Sequence, residues 1–95
     1  MFWVYILKCS DESYYTGHTD DLENRLSQHK SKFFPHCFTV TRLPVELRYS
    51  QCFATREEAL TAEQQIKGWS RRKKEALILG NWKALSWYAK RKKKR

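Results

Sequence analysis

Trp3-Val4-Tyr5-Ile6-Leu7-Lys8-Cys9, then Tyr14-Tyr15-Thr16-Gly17-His18, then Leu22-Glu23-Asn24-Arg25-Leu26-Ser27-Gln28-His29 is the stretch that decides how this chain folds. The first two runs are rich in β-branched and aromatic residues. The turn-forming cluster Ser10-Asp11-Glu12-Ser13 separates them, so together they predict a β-hairpin. Alternation places Phe2, Val4 and Ile6 on one face of the first strand and Trp3, Tyr5 and Leu7 on the other. Both faces are apolar, which predicts cover on both sides. Gly17, lacking a Cβ, marks a point of close approach by a backbone or a ligand. A helix is expected from about Asp20, with Asp20 and Glu23 in the arrangement of a capping box. Leu22 and Leu26 define its apolar stripe, and Arg25 and His29 fall on or beside that stripe. Polar groups there call for partners.

Farther along, residues 31–44 are expected to form a connecting loop closed by Pro44. Val45 to Phe53 alternates as a third strand. Thr55 and Glu58 form a capping box that opens a helix ending at Gly68, with Ala59, Ala62 and Ile66 in the core. Glu63 falls between those core positions, and a carboxylate there is costly unless paired, hydrogen-bonded or bound to a metal. Ser70 is expected to cap a third helix, residues 71–79, stopped by Gly80. Asn81 can cap a short last helix carrying Trp82, Leu85 and Trp87. The six basic residues 90–95 repel one another, so a disordered tail is expected after a single domain spanning residues 1–89.

Ninety-five residues, 41% hydrophobic and 15% aromatic, suffice for one modest core and argue against a disordered chain. Three cysteines without a C-x-x-C pair fit free thiols in a reducing compartment, and the ligand spacing of a zinc site is missing. No signal peptide and no membrane-spanning run are expected, so a cytoplasmic location is the expectation. Charge is distributed unevenly. Residues 1–66 carry seven Lys/Arg against nine Asp/Glu, whereas residues 67–95 carry twelve against one, making up the net +9. A polyanion partner fits this asymmetry, with nucleic acid ahead of a membrane surface.

Two predicted helices therefore break their own apolar pattern, one with Arg25 and His29 and the other with Glu63. An internal salt bridge from Arg25 or His29 to Glu63 is one account. A site completed by Tyr5 and Tyr15 on the hairpin is the other. A base, a cation, a proton carrier and a carboxylate for a hard divalent ion are the parts that phosphodiester hydrolysis uses.

These residues resemble the GIY-YIG nuclease family. Val4-Tyr5-Ile6 and Tyr15-Thr16-Gly17 look like its paired tripeptides. Arg25 and Glu63 stand where the family places its helical arginine and its metal-binding glutamate. Ala62 to Ser70 and Lys73 to Ile78 resemble the small stand-alone bacterial members. The resemblance implies an α/β (α+β) fold, a three-stranded antiparallel sheet flanked by helices. It also implies a DNA endonuclease using one Mg²⁺ or Mn²⁺ ion. Carried over by position, Tyr5 would be the first candidate for general base and Tyr15 would help orient the attacking water and the metal shell, with the reverse assignment of the two tyrosines left open. Arg25 would bind the scissile phosphate, His29 would take the tyrosine proton, and Glu63 would ligate the metal. A free tyrosine, with a pKa of about 10, is a poor base at neutrality, so such a site must favour the phenolate. His18 stands where several relatives carry a lysine, which makes its contribution sensitive to pH.

The catalytic unit is expected to bind its own DNA, through Arg71, Arg72, Lys73, Lys74, Lys83 and the tail. Interleaved Trp69, Trp82, Trp87 and Tyr88 suit single-stranded DNA if exposed, and core packing if buried. The competing expectations are a non-cutting nucleic-acid-binding module and a nuclease brought to duplex or branched DNA by a partner protein. No obligate protein partner is evident, and a homo-oligomer is left open.

Overall fold

A computed structural model describes residues 1–31 and 42–80. Most of the expected loop, together with Cys37, Lys83, the Trp82–Trp87 segment and the basic tail, lies outside the described residues. The elements run β1 (Phe2–Lys8), β2 (Tyr14–Thr19), α1 (Leu22–Lys30), β3 (Glu46–Phe53), α2 (Arg56–Lys67) and α3 (Arg71–Leu79). The three strands form one antiparallel sheet in the order β2-β1-β3, so β1 is central and the outer edge of β2 is free of any further strand among the described residues. This is the architecture expected from the sequence.

β1 earns its central place by composition. Val4, Tyr5, Ile6 and Leu7 are fully buried, because the strand is apolar on both faces and both are covered. Val4 and Ile6 pack with Ala59, Ile66 and Leu77 from α2 and α3. Tyr5 and Leu7 pack on the opposite face with Cys9 and Val45, flanked by Tyr15 and by Leu22 and Leu26 of α1. The sheet is thus sandwiched, with α1 on one face and α2 and α3 on the other. Its register against β3 shifts between Ile6 and Leu7.

The caps explain where the helices begin. Thr55 and Glu58 close a reciprocal capping box, the Thr55 side chain accepting from the Glu58 amide at 3.2 Å. Ser70 accepts from the Lys73 amide, and Gly80, at φ 70°, ends α3 in the left-handed conformation that favours glycine. For α1 the expected pair was one residue out of step. Asp21, not Asp20, is the cap, and its carboxylate accepts from the Asn24 amide at 3.1 Å. Asp20 faces Arg56 of α2 instead, at 3.8 Å. Among the described residues no helix is long and apolar enough to cross a membrane.

Candidate active site

Strand register brings the first group of side chains together. Tyr5 lies opposite Gly17, and Tyr15 lies opposite Leu7, all on the α1 face. The Tyr5 phenol turns over Gly17 so closely that a Cβ there would stand 2.6 Å from Oη and 2.7 Å from Cζ. The close approach expected at this glycine is therefore made by a tyrosine side chain. His29, on α1, closes the group. It is 2% exposed, and its Nε2 lies 3.0 Å from Tyr5 Oη. Its ring meets both tyrosines edge-on, with centroids 5.9 Å from Tyr5 and 5.2 Å from Tyr15. Burial, and then the charge of nearby Arg25, hold the His29 pKa below its ordinary 6.5. The imidazole is therefore neutral at physiological pH and free to accept a proton. Arg25, half-buried on the same helix, supplies positive charge beside it.

A second group forms on the other face of β2. His18 pairs with Val4, one position on from Gly17, and so points toward α2. There its Nδ1 lies 3.1 Å from Oε2 of Glu63, whose side chain is 10% exposed. Lys67, one turn farther along α2, approaches the same oxygen at 3.7 Å. Glu63 is thus paired with His18 and Lys67, not with Arg25 or His29. Both cationic side chains converge on Oε2, while Oε1 takes no hydrogen bond from any described residue.

That arrangement suits a hard divalent ion. Mg²⁺ is commonly held by one or two carboxylates, with water and substrate phosphates completing the shell. No cluster of three or more potential ligands occurs among the described residues, where Glu63 presents a carboxylate with one oxygen unbonded.

The predicted DNA-contacting residues divide. Arg71 lies over the Tyr14 ring at 4.7 Å, pairs with Glu75 at 3.3 Å and donates to the Glu12 carbonyl. Lys73 is buried, with Nζ 4.2 Å from the Trp69 ring centroid. These two help lock α3 onto the sheet. Arg72 is exposed, whereas Lys74 is half-buried, and burial holds its pKa below the ordinary lysine value. Trp69 packs against the core on the α2 and α3 face. Lys67 was not anticipated, although its i, i+4 spacing from Glu63 was a usable signal.

Fold and residues together describe a small domain built on an antiparallel sheet, with polar groups gathered around one edge strand. The chain belongs to the GIY-YIG catalytic domain family, whose model matches residues 1–76. It is 46% identical over 76 residues to a UPF0213 protein of Bacillus pumilus, covering 80% of this chain and 76% of that one. A UPF0213 protein of the archaeon Haloquadratum walsbyi is 45% identical over 75 residues, covering 79% and 83%. The solution NMR structure of a UPF0213 protein from Bacillus halodurans is similar at TM-score 0.53 and 42% identity, covering 82% of this chain and 83% of that one. Membership in this family implies a possible nuclease, a nucleic-acid substrate in general and a divalent metal as the usual cofactor.

Proposed function

We propose that this chain is a metal-dependent DNA endonuclease acting preferentially on single-stranded DNA, with its site at the free edge of β2. The observation that carries the reading is the buried contact between Tyr5 Oη and His29 Nε2. In the neutral imidazole with its proton on Nδ1, Nε2 accepts from the phenol. His29 can then draw off the phenolic proton as Tyr5 takes one from the attacking water. Tyr15, edge-on to His29, orients the same water. Arg25 binds the scissile phosphate and offsets the charge that builds on it. Glu63 would hold the divalent ion through its open oxygen, and the ion would supply Lewis-acid stabilisation of the phosphoryl group. His18 positions the Glu63 carboxylate.

Opposite placement of the two groups is compatible with one site because, among the described residues, β2 has a neighbouring strand on one side only. A strand of DNA laid along that edge would meet half-buried Tyr15 and Arg25 from one face and Glu63 from the other, with the buried Tyr5 phenol behind Gly17. Exposed Arg72, half-buried Lys74 and the basic residues 90–95 add sequence-independent attraction.

Cleavage of a panel of single-stranded, duplex and branched DNA, with RNA as control, tests the reading in Mg²⁺ and in Mn²⁺. Tyr5→Phe is expected to lower the rate about 10²–10⁴-fold, the usual weight of a general base. Glu63→Ala should abolish metal-dependent cutting and leave oligonucleotide binding. Wild-type protein that binds DNA but cuts no substrate in either metal would make this a binding module.

A further inference from the structure

Lys67 extends from the last turn of α2 with its side chain 53% exposed, yet its Nζ stands 3.7 Å from a carboxylate that is 10% exposed. A solvated cation thus sits at the mouth of a site whose anion is inside. An exposed i, i+4 pair adds little to stability, so stability alone is a poor account of it. Its place in the fold offers a better one. Arg56 near the start of α2 meets Asp20 beyond the end of β2, Glu63 meets His18, and Arg71 of α3 meets Tyr14 at the start of β2. α2 therefore runs antiparallel to β2 while packing on the face that β2 shares with β1, and Lys67 follows Glu63 on that track.

Three other cations of α2 and α3 are tied into the fold. Arg56 lies over the Phe2 ring at 4.8 Å as well as facing Asp20. Arg71 is held by Tyr14, Glu75 and the Glu12 carbonyl, and Lys73 is buried against Trp69. Among the described residues, Lys67 pairs with Glu63 and with no other carboxylate.

We propose that Lys67 is a substrate-binding residue: it faces Glu63 in the free protein and turns to a phosphate of the nucleic-acid strand when that strand lies along β2. The inference rests on the nuclease reading of the same site. It gives the strand a cation on each face of the sheet edge, Arg25 from α1 and Lys67 from α2.

Binding of a fluorescently labelled single-stranded oligonucleotide in EDTA, measured by anisotropy across a salt series, tests this without relying on cleavage. Lys67→Met is expected to reduce the slope of log K against log salt by about 0.7, the contribution of one single-strand phosphate contact. Lys67→Arg should restore it. Arg48→Met, on the opposite edge strand, is the control and should leave the slope unchanged. The decisive comparison is made in a Glu63→Gln background, where Lys67 has no charge to neutralise. If Lys67 touches phosphate, adding Lys67→Met still lowers the slope there. If it only neutralises Glu63, the effect vanishes and the proposal falls. It falls equally if Lys67→Met and Arg48→Met behave alike in an otherwise unchanged protein. A slope that drops as expected in a protein that never cleaves would uphold the phosphate contact and refute the nuclease reading instead.

Discussion

Gly17→Ala is a one-carbon test of the site's packing. The added Cβ would stand 2.6 Å from Tyr5 Oη, 2.7 Å from Cζ and 3.2 Å from Cε2, whereas ordinary contact begins near 3.4 Å. The phenol must retreat, yet Tyr5 is fully buried in the central strand and its hydroxyl faces His29 at 3.0 Å. Overpacking of this kind typically costs about 1–3 kcal/mol. Losing the Tyr5–His29 hydrogen bond adds about 1 kcal/mol. At roughly 4–8 °C per kcal/mol for a domain of this size, the melting temperature should fall by about 8 °C or more. Thermal unfolding followed by circular dichroism reads this directly. Tyr5→Phe should not rescue the variant, because Cζ remains at 2.7 Å after the oxygen is gone. Tyr5→Leu, which removes the ring carbon that collides, should recover part of the loss relative to its own single variant. An alanine variant that melts within a degree of wild type would mean that the phenol does not lie over this glycine.

Three further outcomes are expected. His29, held neutral by burial and by Arg25, should titrate below 6.5 when its ring resonances are followed by NMR, and Arg25→Gln should move that midpoint upward. A midpoint at or above 6.5 in wild type would show that burial and Arg25 do not disfavour the charged ring. Since the unfolded chain takes up that proton more readily than the folded one, folding stability should decline as pH falls from about 6.5 through the depressed His29 value. A denaturant series at several pH values would show it, and His29→Gln should flatten that part of the profile. Thr16→Val should stabilise the protein, because the Thr16 hydroxyl is buried without a hydrogen-bond partner. Desolvating such a group costs about 1–3 kcal/mol, and a drop in melting temperature would show that the hydroxyl is bonded after all.

Much of this molecule is readable from short-range pattern. Val4 to Leu7, apolar on both faces, could only be a doubly covered strand. Thr55 with Glu58, and Ser70 with Gly80, marked their helix ends because capping is decided within a few residues. The α1 cap was misplaced for the same local reason: Asp20 and Asp21 both suit the position, and the contact that separates them, Asp20 with Arg56, comes from 36 residues away. Glu63 stood out as a misfit, but its partners did not. Choosing His18 over Arg25 or His29 depends on which face α2 covers, and that is settled only when the sheet assembles. One clue was available: Tyr15 and His18 are three positions apart on one strand, which sends them to opposite faces. The commitment of Arg71 to Tyr14 and of Lys73 to Trp69 had no such clue. A run of basic residues reads as solvated until the aromatic surfaces beside it are known.

The position of β2 has a mechanical consequence. Thr16, Gly17 and His18 belong to one short ribbon, bonded to a neighbour along a single margin, with the tyrosine–histidine group on one side and the carboxylate on the other. Any tilt of that ribbon moves Tyr15 against the Tyr5–His29 pair and His18 against Glu63 at once and in opposite senses, as the two arms of a balance move about their beam. Pinning the ribbon at its start, where Tyr14 lies beneath Arg71 and faces Glu75, sets the fulcrum well away from Glu63. Loosening that pin should detune both arms together without altering a single group in either.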